Sequence, residues 1–410
     1  MIRAITLGVP AHMVDTGSAE PQLQRFRALA ERQLAARNWP LRTLRLTLPP
    51  LREEHEEEMF ALPARLASFS EMAQRLGSRW FCLPVDLTQG ENYQRRLDAA
   101  FATLFKQPRM FLNLMVADAQ GINIRASHDV ARFMLNVAQR SNNGFDNFRV
   151  GASLCCPANA PFFPFSRHEG DTLKFSFALE TTDIALELSE LVRQKKRSLG
   201  EFSDEFIARL ITRLGEINAF GLELQAATGI DYAGLDASLA PFPDGNISVG
   251  RLLENLGARP CGSQGSLFIT SILTNAIKTA VARSGALAVG FNGVMFSVLE
   301  DDVLASANNR RALSVDTLNA WSTVCGCGLD MLPVPGSTLS EDIAAIILDT
   351  AALAVRLTKP LGVRLLPIPG KEVNELTQFN FDFLCNSRVM QIDKSDVSFP
   401  TENGRWNYRY

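Results

Sequence analysis

Gly234-Leu-Asp-Ala-Ser-Leu-Ala-Pro241 and Cys325-Gly-Cys-Gly-Leu-Asp-Met-Leu-Pro-Val-Pro335 each carry one acid through an apolar, strand-like run into a turn punctuated by proline. Similar runs recur along the chain. Residues 2–8, 42–48, 80–85, 110–116, 150–156, 175–179, 287–291, 294–298 and 363–366 read as strands. Between them, residues 22–36, 93–106, 130–140, 182–195, 204–227, 267–283 and 341–358 place apolar side chains at helical spacing. Strands that alternate with helices over short connections predict an α/β fold, a mostly parallel sheet or barrel flanked by helices, with polar residues at strand ends facing a common mouth. No Gly-, Ser- or Pro-rich linker divides the chain. We therefore expect a single α/β barrel-like domain over 1–395 and an aromatic tail over 396–410. The charged run 193–197 reads as a helix end and loop.

Composition narrows the class. The 410 residues are 46% hydrophobic and 21% charged, ordinary values for a globular enzyme, and a net charge of -3 offers no broad positive field for nucleic acid. Seven cysteines are too sparse for a disulfide scaffold and lie in apolar runs, which fits reduced thiols in a cytoplasmic protein. The opening segment alternates like a strand rather than a secretory signal, and no run reaches the roughly 20 apolar residues that span a bilayer. A soluble protein without membrane partners is expected. The aromatic tail, with Trp406, Tyr408 and Tyr410, would otherwise expose apolar surface and points to a homo-oligomer contact.

Several segments resemble a known family. Gly234–Pro241, Pro260-Cys-Gly-Ser-Gln-Gly265, Phe291-Asn-Gly-Val-Met-Phe-Ser-Val-Leu-Glu-Asp301 and Thr323-Val-Cys-Gly-Cys-Gly-Leu-Asp-Met331 occur in an order and spacing similar to domain of unknown function 711, also called uncharacterised protein family 0210. Ile2–Gly8, Gly121-Ile-Asn123 and Pro161-Phe-Phe-Pro-Phe-Ser-Arg-His-Glu-Gly170 extend the resemblance over nearly the whole chain. The resemblance implies a large α/β barrel like that of pyruvate formate-lyase, with no settled activity. Glycyl-radical chemistry does not follow. Such enzymes need a glycine in an Arg-Val-x-Gly-Tyr-like C-terminal loop, whereas the nearest match, Ser387-Arg-Val-Met-Gln391, has none.

Three groups of residues carry candidate chemistry. His168 lies in a Gly- and Pro-punctuated loop beside Arg167 and Glu169, where an imidazole can serve as general acid or base, or simply hydrogen-bond its own loop. Arg167 could hold a substrate carboxylate or pair with Glu169. Asp236 and Asp330 sit in apolar runs, so each needs a donor, a hydroxyl such as Ser238, or a ligand; poorly compensated, they become proton carriers, and well compensated, they tie down turns. Cys325 occupies a family motif position and is a candidate nucleophile if His168 or a helix N-terminus lowers its pKa, or otherwise a small buried hydrophobe. Its Cys-x-Cys spacing with Cys327 matches neither a dithiol redox motif nor a zinc knuckle. Of the adjacent Cys155 and Cys156, only one can face the interior.

Gly262 and Ser263 precede a helix whose free N–H groups suit a carboxylate or phosphate, although the lysine of a P-loop and the glycine pattern of a dinucleotide turn are missing. Asn123 and Asn159 add uncharged hydrogen-bonding groups. Glu300, Asp301 and Asp302 form an acidic cluster that reads as solvated caps or as a divalent-cation site. The expectation is a cofactor-independent lyase, hydrolase or isomerase acting by acid/base chemistry on a small anionic metabolite. Two alternatives remain: a non-catalytic small-molecule-binding or regulatory protein, and a divalent-metal enzyme using His168, Glu169, Asp236 and Glu300, which the absence of an HxH or HExxH pair disfavours.

Overall fold

A computed structural model describes residues 2–53, 59–89, 92–393 and 404–408. Its strands are β1 (Ile2–Gly8), β2 (Leu41–Thr47), β3 (Trp80–Asp86), β4 (Met110–Asp118), β5 (Gly121–Asn123), β6 (Val150–Leu154), β7 (Lys174–Leu179), β8 (Asp231–Asp236), β9 (Gly328–Pro335), β10 (Leu361–Ile368) and β11 (Arg405–Asn407). They form one 11-stranded sheet in the order β8-β7-β1-β2-β3-β4-β6-β10-β9, with β5 on β4 and β11 on β5. β1, β2, β3, β4 and β6 run parallel to one another. β7 with β8, and β9 with β10, are parallel pairs that run opposite to this set.

The helices predicted from periodicity are present as Ala19–Ala36, Gln94–Leu104, Ile124–Arg140, Thr182–Arg193, Leu199–Thr228, Ser266–Ser284 and Ser340–Arg356; Leu62–Arg75 is a further one. Local chemistry sets their ends. Leu199–Thr228 begins with a capping box, in which Ser198 accepts from the Glu201 N–H while Glu201 accepts from the Ser198 N–H, and it stops at Gly229, whose φ of 71 needs a residue without Cβ.

Two expectations change. Residues 287–291 and 294–298 are not regular strands. Gly290 and Asn292 take positive φ, and the Asp236 carboxylate grips the N–H groups of Phe291 and Asn292 at 2.7 and 3.0 Å, which bends the chain between the two runs. A Cβ at Gly290 would collide with that carboxylate. Isolated parallel bridges still tie this segment to β8 (Leu235 with Ala288), to the residues just after it (Leu239 with Val294) and to β9 (Ser297 with Asp330). Regular pairing thus leaves an open mixed α/β sheet with β8 and β9 at its edges, with which a barrel is compatible. Part of the tail is also a strand: Arg405–Asn407 pairs antiparallel with β5. Trp406 stays 60% exposed.

Most strands are buried on both faces, so both sides of the sheet are covered. Helices cover one side. The other is filled by residues 156–168, a segment without regular structure whose Phe162, Phe163 and Phe165 are each at most 8% exposed. Its backbone is satisfied piecemeal: Pro161 O accepts from Thr6, Ser166 O from Asn113, Arg167 O from the Asn159 N–H, and Leu48 O takes the His168 N–H. Gly151 and Gly362 leave room for the Phe165 ring, which a Cβ at either would strike.

Candidate functional site

Charged residues in the middle of strands mark the site. Arg3, Arg45 and Arg364 lie on β1, β2 and β10, and all three are buried. With Glu300, Asp330, Ser297 and Cys327 they line a cavity of about 50 Å³. Aromatic rings wall it, among them Trp80, Phe111, Phe148, Phe163 and Phe291. Because one water needs roughly 10–15 Å³ of such space, the cavity admits a ligand of only a few heavy atoms.

Two irregularities in the sheet deliver the polar groups. The β1–β7 register shifts between Ile2 and Ala4, making Arg3 the extra residue. The β9–β10 register shifts after Arg364, so that Met331, at φ 54, has no partner next to Asp330. A bulge of this kind re-aims neighbouring side chains, and bulges are frequent beside functional sites.

Inside, the charges alternate. Glu180 accepts from Arg42 at 2.7 Å and from Arg3 at 3.2 Å, Arg3 reaches Glu300 at 3.8 Å, and Arg364 lies 3.2 Å from Glu300. Arg364 then clamps Asp330 with two bonds, Nε to Oδ1 at 2.6 Å and Nη2 to Oδ2 at 2.9 Å. Arg45 stands outside this chain. Its Nε donates to Thr43 Oγ1 at 3.1 Å and its guanidinium lies over the Trp80 and Phe163 rings, but among the described residues no carboxylate is within salt-bridge distance. Burial, then Arg3, pushes its pKa down to about 9, so it remains a cation at neutral pH. Burial pushes the Glu300 carboxyl above its ordinary value, a shift that Arg364 opposes and Asp330 reinforces. Ser297 Oγ, on a residue 1% exposed, has no hydrogen-bond partner of good geometry, although it lies close enough to Glu300 to favour the ionised carboxylate.

Cys327, not Cys325, faces this space. Its Sγ accepts the Phe296 N–H at 3.2 Å and its thiol donates to the Gly328 carbonyl at 3.6 Å, and the neighbouring Cys325 sulfur and burial raise its pKa well above the ordinary value. The Cys327 thiol in turn, opposed by burial and helped by Lys359, lowers the Cys325 pKa to about 6. Lys359 Nζ donates to the carbonyls of Ser322, Thr323 and Cys325. His168 has no part in this arrangement, contrary to one expectation. The thiols reach this position because Gly326 packs directly on Gly293: a Cβ at Gly326 would lie 2.8 Å from Gly293 Cα.

The remaining predicted site residues lie elsewhere. His168 lines a separate cleft with Pro10, His12 and Arg52, and burial lowers its pKa to about 4, so it is neutral where a catalytic histidine was expected to titrate. Its Nδ1 is buried without a partner and packs where a Cβ of Gly8 would otherwise be. Arg167 pairs with Glu169 at 2.6 Å and borders another cleft with Cys155 and Lys359. Cys156 packs among the interior aromatic residues, and both it and Cys155 border that cleft.

Asp236 is fully buried but stands behind the cavity wall, where Ser238 Oγ, Ser238 N, Phe291 N and Asn292 N all donate to it; burial nevertheless pushes its pKa up to about 6. Ser238 is therefore a partner of that turn. Asn123 caps the helix Ile124–Arg140, accepting from Ala126 N at 3.0 Å. Asn159 takes φ 59 in the interior loop. Gly262, at φ 98, packs on Ala312, and Ser263 next to it makes no cap for the helix Ser266–Ser284.

The acidic cluster divides. Asp301 is not a solvated cap: it is buried and accepts from Ser248 Oγ and from the N–H groups of Val249, Gly250, Val303 and Leu304. Glu300 belongs to the cavity. No group of three metal-ligating side chains occurs among the described residues, and Glu300 is far from sharing a site with His168, since the two border different spaces. Of the candidates Asn123, His168, Asp236 and Asp330, only Asp330 lines the inner cavity. Sequence reasoning missed Arg3, Arg45, Arg364, Ser297 and Cys327. Arg364, inside the otherwise apolar run of β10, was the available signal.

The chain matches the model of the family described as Uncharacterised ACR (DUF711) over residues 1–385. It is 35% identical over 271 residues to a UPF0210 protein of Pyrobaculum aerophilum, covering 63% of this chain and 57% of that one. To a UPF0210 protein of Pyrobaculum islandicum it is 29% identical over 405 residues, covering 92% and 86%; to one of Methanocaldococcus jannaschii, 28% over 307 residues, covering 73% and 66%. The matches to the first relatives thus span about six tenths of their length. No helix among the described residues is long and apolar enough to cross a membrane. The extent of the family match places the molecule: this chain belongs to the uncharacterised DUF711, or UPF0210, family.

Proposed function

We propose that the protein is a cofactor-independent enzyme that binds a small anionic metabolite in the inner cavity and transforms it by acid/base chemistry. The observation that carries this reading is Arg45, a buried cation without a carboxylate partner among the described residues, in a cavity where every other charge is paired. An isolated buried charge is costly, so such a group is retained where a ligand completes it. The lining residues hold three guanidinium groups against the carboxyls of Glu300 and Asp330, which leaves an excess of at least one positive charge for an anion. In this reading Arg45 anchors the anion, Glu300, with its raised pKa, is the proton carrier, and the Arg364–Asp330 clamp holds Glu300 in place.

The same reading takes the sheet as a barrel. The segment 287–297, parallel to both β8 and β9, would complete one set of parallel strands with β7 and β10, opposed to the set of β1, β2, β3, β4 and β6, around the aromatic interior.

The test begins with binding. Inorganic phosphate and a panel of two- to four-carbon carboxylates should raise the melting temperature of the wild type, and Arg45→Met should weaken the best of them about ten- to hundredfold, the value of one charge-assisted hydrogen bond or more. Incubation with a metabolite extract then separates enzyme from binder: conversion by wild type but not by Glu300→Gln supports catalysis. Retention of a metabolite without conversion would reduce the proposal to a binding protein, and unchanged affinity in Arg45→Met would end it.

A further inference from the structure

The cavity holds a nucleophile as well as an anion anchor. Cys327 lines it together with Arg45 and Arg364, and Ser297 Oγ, buried and lacking a partner of good geometry, faces the same space. The Cys327 sulfur is held from two sides, by the Phe296 N–H at 3.2 Å and by the Gly328 carbonyl, to which it donates at 3.6 Å. Gly326 and Gly328 fix its place: Gly326 rests against the Gly293 backbone, and Gly328, at φ 87, leaves no room for a Cβ beside Gly362. Cys82 donates to the carbonyls of Pro164 and Ser166 and Cys156 to that of Leu361, and both are raised well above the ordinary thiol value, as Cys327 itself is; what sets Cys327 apart is its place in the cavity beside Arg45 and Arg364.

We infer that Cys327 is a covalent catalytic residue, adding through sulfur to a carbonyl carbon that lies next to the carboxylate held by Arg45. The inference rests on the anion site proposed above and names its substrate class: small 2-oxo carboxylates. Size supports the class, because a cavity of about 50 Å³ lined by both Arg45 and Cys327 admits only a few heavy atoms, so a carboxylate and an electrophilic carbon that share it must be close together.

The step balances within the residues present. As the sulfur–carbon bond forms, the carbonyl π bond breaks, the Cys327 proton passes to the Cys325 sulfur, and the oxygen takes the proton of the Glu300 carboxyl, giving a thiohemiketal. No electrons are gained or lost. Cys325 can receive the proton because Cys327 and Lys359 keep it in the thiolate form, and Glu300 can give one because burial favours its protonated form.

The experiment is alkylation of the intact native protein by iodoacetate and by the neutral iodoacetamide, followed by fragment-ion mapping of every cysteine. Iodoacetate should label Cys327 about tenfold faster than iodoacetamide does, through attraction by the cavity arginines, and pyruvate should protect it. Arg45→Met should abolish the preference for the anionic reagent. Cys325→Ser should slow labelling of Cys327 while pyruvate binding, followed by thermal shift, stays within about threefold of wild type. If Cys327 labels no faster than Cys82 while pyruvate still binds and Arg45→Met still weakens that binding, the covalent role is refuted and the anion site stands. If Arg45→Met leaves small-anion binding unchanged, both fall.

Discussion

Arg364→Met removes the clamp on Asp330 and tests the physics of the interior directly. Arg364 is 4% exposed and makes two bonds to Asp330, one to Glu300 and one to the Phe148 carbonyl at 3.1 Å. Methionine replaces its stem but none of its donors. One buried carboxylate then loses its partner and a second keeps only Arg3, at 3.8 Å. Breaking a buried pair from one side typically costs about 3–5 kcal/mol, since the remaining charge stays buried without compensation. The double variant Arg364→Met/Asp330→Leu removes both charges and should recover to within about 1–2 kcal/mol of wild type, so the two changes couple by at least about 2 kcal/mol.

The deficit should also depend on pH. Arg364 is the largest influence holding Glu300 down against burial, so in the single variant the Glu300 pKa rises further above its unfolded value. A carboxyl whose folded pKa is raised stabilises the fold at low pH and loses that contribution as pH rises through the folded value. The single variant should therefore be closest to wild type near pH 5 and furthest from it near pH 8. Urea denaturation of the four proteins of the cycle at several pH values measures both effects. A loss under about 1 kcal/mol in the single variant, or strict additivity in the cycle, would show that the interior charges are solvated and that the cavity is not the dry site described.

Gly326→Ala should push the Cys325–Gly328 turn off Gly293, costing stability measurable by denaturation and shifting the reactivity of Cys327, because its Cβ would meet backbone at 2.8 Å. His168 should make the protein acid-sensitive: with a folded pKa near 4 against an unfolded value of about 6.5, its contribution is complete above pH 6.5 and lost as pH falls toward 4, at most about 3 kcal/mol, and His168→Gln should flatten that part of the pH–stability curve. Asp236, raised to about 6, has the opposite sign and loses its contribution as pH rises through that value, so Asp236→Asn should show less decline between pH 4 and 7. Asp301→Ala should cost about 3 kcal/mol or more in equilibrium unfolding, since it strands Ser248 and four backbone N–H groups, and a loss below 1 kcal/mol would mean that water replaces the carboxylate.

The sequence by itself determined the rhythm of the fold and the family. Period-2 and helical patterns located most strands and the long helices, because those signals depend on neighbours a few residues apart. The same local logic failed at 287–298, where two good strand patterns are bent by Asp236, a carboxylate from another element. It also placed His168 at a working site, although burial by residues distant in sequence makes it neutral there. Only the tertiary structure decided the cavity. Alternation predicts which face a side chain takes only while the strand stays regular, and the bulges at Arg3 and Met331 break it where the charged groups turn inward. The choice between Cys325 and Cys327, two residues apart, likewise rests on the contact of Gly326 with Gly293, and the missing partner of Arg45 can be seen only when every surrounding element is in place. Burial and electrostatics are properties of those surroundings rather than of the residues, which is why a chain read in order shows an arginine in a strand but not what it awaits.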